Sequence, residues 1–250
     1  MFFYIFFGIL QGILEWLPIS SSGNLTLILM NFFGFSFKDV FSLSLYLHLG
    51  TMFSVTFKFR RDFFQFLKEV SRFQAGPKLK FLIFASLSSL IVGLPVYLLF
   101  DLEIPEKLAS FLIAISLILT GIFLRNKKKG LKKIENAKPL EMLYVGAAQG
   151  ISIIPGVSRS GITLTALLSR GFSAKEALHF SFLMSVPAVV GGILLTQKIY
   201  FEFEYLLSTG FAFLSSLIFM EVLLKLSDRY NFSIFCFLIA GVTILLVLVF

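Results

Sequence analysis

Two short stretches put groups capable of chemistry inside a chain that is otherwise apolar: "QGILEWLPISSSGN", beginning at Gln11, and "PGVSRSG", beginning at Pro155. Together they carry a carboxylate, a guanidinium and five serines. Glu15 follows Gln11 by four residues, so both project from one face of a helix. Each stretch would end one half-helix at Pro and Gly and start another with serines at its head. A helix N-terminus offers unpaired N–H groups and a partial positive charge, which favour an anion. Arg159, between Ser158 and Ser160, adds planar paired donors that suit phosphate oxygens and stay charged. Ser20, Ser21, Ser22 and Gly23 add hydroxyls and a flexible backbone. Phosphate or diphosphate is the natural ligand.

A buried carboxylate beside a polyanion needs a proton or a divalent cation. Mg²⁺ or Ca²⁺ suits carboxylate and phosphate oxygens, and Glu15 would hold it. On that reading Arg159 and the serine hydroxyls grip the phosphates, and a serine or a metal-activated water attacks phosphorus. Positioning and charge neutralisation would carry most of the acceleration.

The elements that position these groups follow from composition. The 250 residues are 57% hydrophobic and 14% charged, with mean hydropathy +0.91, too little polar surface to cover a soluble globule. The expected fold is an all-α polytopic membrane protein. Apolar runs long enough to cross about 30 Å of hydrocarbon fall near 41–59, 79–100, 106–124, 174–196, 205–226 and 233–250, predicting six transmembrane helices. Regions 1–33 and 140–170 are broken by Pro, Gly and Ser into halves too short to cross, so they read as re-entrant hairpins buried against each other. The first seventeen residues lack a basic leading region, and no cleavable signal peptide is expected. The single cysteine, Cys236, excludes a disulfide framework and a Cys-based metal site.

Charge tests this layout. The segments 60–80, 125–139, 170–175 and 225–229 share one face and hold most of the Lys and Arg, so that face is expected in the cytoplasm and both termini outside, with the chain multi-pass in the plasma membrane. The net charge of +8 is then a topology signal and a contact with anionic membrane lipid; nucleic acid is not an expected partner.

The two hairpins enter from opposite faces and repeat each other. "GILQGILEWLPISSSG" at 8–23 and "GAAQGISIIPGVSRSG" at 146–161 align without gaps and match at seven of sixteen positions. A second echo joins "LHLGTMFSV" at 47–55 to "LHFSFLMSV" at 178–186. One membrane domain, 1–250, is therefore expected to comprise an inverted-topology repeat, 1–125 and 126–250, holding its ligand between the halves. Such a site suits hydrolysis of a phosphate ligand first and, as the alternative, passage of a phosphate-bearing lipid between leaflets without hydrolysis.

The motifs "QGILEWLPISSSGN" and "PGVSRSG", with "LHLGT" at 47–51 and "FSFLMSVP" at 180–187, resemble the signature segments of the undecaprenyl-diphosphate phosphatases, a family associated with bacitracin resistance. The resemblance extends over nearly the whole chain. It implies removal of one phosphate from a polyprenyl diphosphate for lipid-carrier recycling, on a fold of six spans and two re-entrant hairpins, with a homodimer among the expected assemblies. It implies that Glu15 corresponds to the second glutamate of an E-x-x-x-E pattern, Ser21 to the proposed nucleophile, Arg159 to the phosphate-gripping arginine and Thr163 to a threonine just after it. Ser20, Ser22, Gly23, Ser158, Ser160 and Gly161 complete the expected phosphate cradle. Gln11 stands where the family usually has its first glutamate, and Asn24 where a histidine usually follows the turn; an amide in either place can bind phosphate but cannot shuttle a proton. His48 and His179 hold corresponding positions in the second echo. Each reads first as a structural histidine between helices and, with Gln149, as a secondary candidate for the site. Glu221, four residues before Lys225, reads as an interfacial ion pair.

Overall fold

The computed structural model describes residues 1–17, 37–99, 130–154, 157–196 and 202–227, together with scattered positions within 21–34, 115–125 and 234–245. The regular elements named among them are helical: α1 (Phe2–Leu14), α2 (Phe37–Lys58), α3 (Arg60–Ser71), α4 (Pro77–Leu99), a 3₁₀ turn at Ile134–Asn136, α5 (Pro139–Ile151), α6 (Arg159–Ser169), α7 (Ala174–Thr196) and α8 (Phe203–Leu226). Among the described residues three helices are long and apolar enough to cross a membrane, Pro77–Leu98, Ala174–Leu195 and Phe203–Leu226. The chain is an all-α membrane protein. α2 has similar length but carries a row of inward polar groups, Thr51 and Ser54 among them. The expected spans near 106–124 and 233–250 lie largely outside the described residues.

α1 and α5, at 13 residues each, reach only about 20 Å, short of about 30 Å of hydrocarbon. Both stop where the sequence breaks them. α5 begins at Pro139, whose missing N–H costs nothing in a first turn, and the Glu141 carboxylate accepts the Lys138 backbone N–H at 2.7 Å. It ends at Ser152, and the chain restarts as α6 with Ser158 as N-cap, its Oγ accepting the Gly161 N–H at 3.1 Å. α6 ends on Gly171 at φ +81, with the Phe172 and Gly171 N–H groups turned back onto the Leu167 and Leu168 carbonyls.

The packing pairs elements from opposite ends of the chain. α1 lies along α8 and α8 along α2, while α5 lies along α4 and α4 meets α7; α2 and α7 touch each other between these groups. Glycine sets both close approaches. A Cβ at Gly8 would sit 2.5 Å from the Ser208 carbonyl oxygen and one at Gly150 2.7 Å from that of Ser89, while Gly12 and Gly146 are closed off by Ser215 and by the Ala85 backbone. Small residues four apart let membrane helices approach at backbone distance. The core between the groups is apolar and aromatic, with Trp16, Phe81, Phe172, Phe180 and Phe182 fully buried. Trp16 meets Phe182 edge to face at 4.9 Å and donates to Ser216 Oγ at 2.8 Å, which in turn is bonded to Ser54.

On the basic side α3 is amphipathic and tied down by charge. His179 of α7 donates to Asp62 at 3.1 Å, and Lys78 lies 3.8 Å from Asp62 and 3.6 Å from Glu135. The hydrogen bond from His179 holds the Asp62 carboxyl below its usual value, against the opposing effect of burial and with further help from Lys78. Glu221 pairs with Lys225 at 3.3 Å as expected, and also with Lys58 at the end of α2.

Candidate active site

The break after α1 and the head of α6 meet at one point. Glu15 follows the last residue of α1, and its carboxylate is 5% exposed. Arg159 is the first residue of α6 and reaches across with its guanidinium 16% exposed. Arg159 Nη2 donates to Glu15 Oε1, and Nη1 donates to the Ser181 carbonyl oxygen at 3.1 Å. The guanidinium carbon lies 5.7 Å from the centre of the Trp16 ring, within cation–π range. A half-buried arginine is therefore held by a carboxylate, a carbonyl and an aromatic face at once.

The other carboxylate oxygen is as heavily used. Glu15 Oε2 accepts from Gln11 Nε2 at 2.8 Å and from Ser21 Oγ at 2.8 Å, and His48 Nε2 stands 3.4 Å away. The first of these is the i, i+4 relation read in the sequence. Around the cluster Ser160 Oγ donates to the Leu17 carbonyl at 2.6 Å, which ties the second loop to the first. Thr163 Oγ1 donates to the Arg159 carbonyl at 2.7 Å and lies 2.8 Å from Ser181 Oγ. Thr163 thus braces the head of α6 from behind.

Of the candidates, Gln11, Glu15, Ser21, His48, Ser158, Arg159, Ser160, Gly161 and Thr163 gather at or directly behind this point. Ser20, Ser22, Gly23 and Asn24 lie outside the described residues. Gln149 is buried at the α4–α5 seam, where its amide donates to Ser89 Oγ at 3.3 Å. His179 belongs to the Asp62 cluster. The two histidines therefore have different tasks despite their matching positions. Residue types alone did not single out Trp16 and Ser181, which shape and hold the guanidinium. A lone tryptophan inside the polar motif was the available signal for the first; a backbone carbonyl has none.

A divalent cation can be tested against these donors. The groups bonded to Glu15 are donors, one of them a fixed cation, and among the described residues of this cluster the buried oxygen left without a partner is Gln11 Oε1. Among the described residues no three His, Cys, Asp or Glu side chains gather at one point, and both oxygens of Glu15 are already taken by donors. As arranged, these residues do not fit a protein-held divalent cation. They fit an anion: one arginine, serine hydroxyls and the head of a helix, around a carboxylate that the anion would displace from the guanidinium.

Comparison with known proteins reaches the same place from outside. A family model described as bacitracin resistance protein BacA matches residues 4–245. An undecaprenyl-diphosphatase of Methanococcoides burtonii is 37% identical over 247 residues, 93% of this chain and 92% of that protein. Another so named, of Methanothrix thermoacetophila, is 38% identical over 245 residues, 96% and 94% of the two chains. One of Methanopyrus kandleri is 35% identical over 252 residues, 95% and 93%.

Proposed function

The chain belongs to the family of the bacitracin resistance protein BacA, and from that premise we propose that it is a polyprenyl diphosphate phosphatase. It removes the terminal phosphate of an undecaprenyl-type diphosphate, so that the lipid monophosphate can serve again as a carrier in envelope assembly. The observation that carries the reading is the meeting of Glu15, Ser21 and Arg159, drawn from two loops far apart in sequence.

The roles follow from donors and acceptors. Arg159 exchanges its carboxylate partner for diphosphate oxygens, which it can hold with paired N–H groups. The N-terminus of α6, with Ser158 and Ser160, faces the same charge. Ser21 is the nucleophile, and Glu15, already the acceptor of its hydroxyl hydrogen bond, takes the proton as Oγ attacks phosphorus. A divalent ion, Mg²⁺ or Ca²⁺, enters as a counter-ion of the diphosphate and is part of the substrate. The two hairpins sit in an inverted repeat of six spans in the plasma membrane, with the basic loops inside and both termini outside.

The test is phosphate release from a long-chain polyprenyl diphosphate by the detergent-purified protein, beside Arg159→Ala. Release that the substitution abolishes is the expected result. No release by the wild type, with movement of the lipid between leaflets in liposomes, would replace the phosphatase by a transporter using the same site.

A further inference from the structure

One titratable side chain beside Glu15 has no task in the reaction as described. We propose that His48 is the proton-relay residue of this site, giving a proton to the departing phosphate oxygen and recovering one through Glu15. The inference rests on the phosphatase reading and adds a residue to it.

His48 sits in the middle of α2, 24% exposed, with each ring nitrogen facing an oxygen. Nδ1 is 2.7 Å from the Ser44 carbonyl oxygen, which can only accept, so Nδ1 carries a hydrogen. Nε2 is 3.4 Å from Glu15 Oε2. Nε2 is thus the ring nitrogen turned toward the carboxylate, and a hydrogen carried there can be passed to Oε2 or to an oxygen bound beside it. Oε2 is also the oxygen that accepts from Ser21. A single carboxylate oxygen thus touches both the nucleophile and a group whose type changes charge in the neutral range. The separation is long for a hydrogen bond, as is common before substrate tightens a site.

The charged groups facing His48 are Glu15, just beyond α1, and Arg159, at the head of α6, held on the same carboxylate. Acidic groups on the other elements packed on α2 are placed elsewhere: Asp62 of α3 is held by His179, Glu69 of α3 by Gln65 and the Gly76 N–H, Glu176 of α7 by the Ile134 N–H and Glu221 of α8 by Lys58, and Glu204 is exposed in the first turn of α8. Asn24 cannot move a proton, and His179 is committed to Asp62.

The step balances as follows. Ser21 Oγ bonds to the terminal phosphorus while the bond from that phosphorus to the bridging oxygen breaks. The Ser21 proton goes to Glu15 Oε2, and the Nε2 proton of His48 goes to the bridging oxygen of the departing polyprenyl monophosphate. Glu15 then reprotonates Nε2. Water attacks the phosphoserine phosphorus, its proton passes to Glu15, and that proton returns to Ser21 Oγ as inorganic phosphate leaves.

The experiment is steady-state phosphate release from a polyprenyl diphosphate in detergent, from about pH 5.5 to 9, for wild type, His48→Gln and His48→Asn. A relay residue that must be protonated gives the wild-type kcat a fall toward alkaline pH. His48→Gln should lower kcat by about 10²–10⁴-fold, the usual worth of a positioned acid or base, with KM little changed and the alkaline fall gone. If His48→Gln fails gel filtration, His48→Asn, which keeps a donor toward the Ser44 carbonyl, is judged by the same profile. Wild-type turnover with a variant of near-equal kcat and an unchanged alkaline fall overturns the role of His48 and leaves the phosphatase reading intact. A wild type that releases no phosphate at any pH overturns both.

Discussion

Arg159 is matched to its place by shape as well as charge. Its two terminal nitrogens donate in different directions, to Glu15 and to the Ser181 carbonyl, and its plane lies near Trp16. A lysine would keep the charge but lose the paired donors and the flat face. Arg159→Lys is therefore expected to lower kcat/KM by about 10²-fold or more, as loss of a preorganised donor to transition-state charge does, measured by the same phosphate-release assay. Asp62 is a residue-scale case on the other side of the molecule. Its pKa is lowered in the fold, chiefly by the hydrogen bond from His179. A lowered carboxyl contributes stability that is fully present above its ordinary value and lost as pH falls through the folded one. The midpoint of thermal unfolding in detergent should hold near neutrality and drop below about pH 4, where an ordinary Asp begins to protonate, and Asp62→Asn should flatten that acid loss.

At the scale of elements, the glycine seams decide whether the loops can meet. Gly150 lies against the Ser89 carbonyl and Gly93 of α4, with no room for a side chain, whereas Gly210 in α8 has, among the described residues, no neighbour where its Cβ would stand. Gly150→Leu should destabilise by about 1–3 kcal/mol or more through overpacking, and Gly210→Ala should be neutral or stabilising by up to about 1 kcal/mol; thermal unfolding of the two variants in one detergent decides it. The breaks were legible in the sequence, because Pro, Gly and Ser in an apolar run leave a helix few ways to continue; the glycine seams were not read there. α5, the break after it and α6 fall where the residues put them. The meeting of the two loops was expected from their breaks, but the direct pairing of Glu15 with Arg159 was not legible. A carboxylate and a guanidinium 144 residues apart meet only through the packing of α1 on α8 and of α6 on α7, which local patterns do not encode. The echo that pairs His48 with His179 even pointed toward equal roles. They differ because the position matching Glu15 in the second loop is Ile153, so one histidine finds a carboxylate in the site and the other finds Asp62.

For the whole molecule, the open question of orientation has a direct probe. The basic loops, including 130–139 beside α5, are proposed to face the cytoplasm. Leu131 is among the most exposed apolar residues, so a cysteine there reports on its compartment without disturbing the core. In a Cys236→Ser background, Leu131→Cys should react with a membrane-impermeant maleimide only after cells are opened. Labelling of intact cells would turn the topology over and place the termini inside. The crossing of distant elements also explains why the active-site cluster has few covalent neighbours: Gln11, Glu15 and Ser21 come from one end of the chain, His48 from α2, and Arg159 from the start of α6.

The bond between Arg159 and Glu15 has a kinetic consequence. On the proposed roles, with no substrate present the carboxylate occupies the guanidinium that phosphate would claim, as a tethered competitor at high effective concentration. Incoming diphosphate has to displace it, and outgoing inorganic phosphate is displaced by it in turn, so the same contact that weakens binding hastens product ejection. Glu15→Gln removes the competing charge at constant shape. It should turn over at least about 10²-fold more slowly for want of a proton acceptor and yet bind inorganic phosphate more tightly than the wild type, as read by product inhibition. A slower enzyme with a firmer grip would be the mark of an enzyme that carries its own inhibitor to keep its product moving.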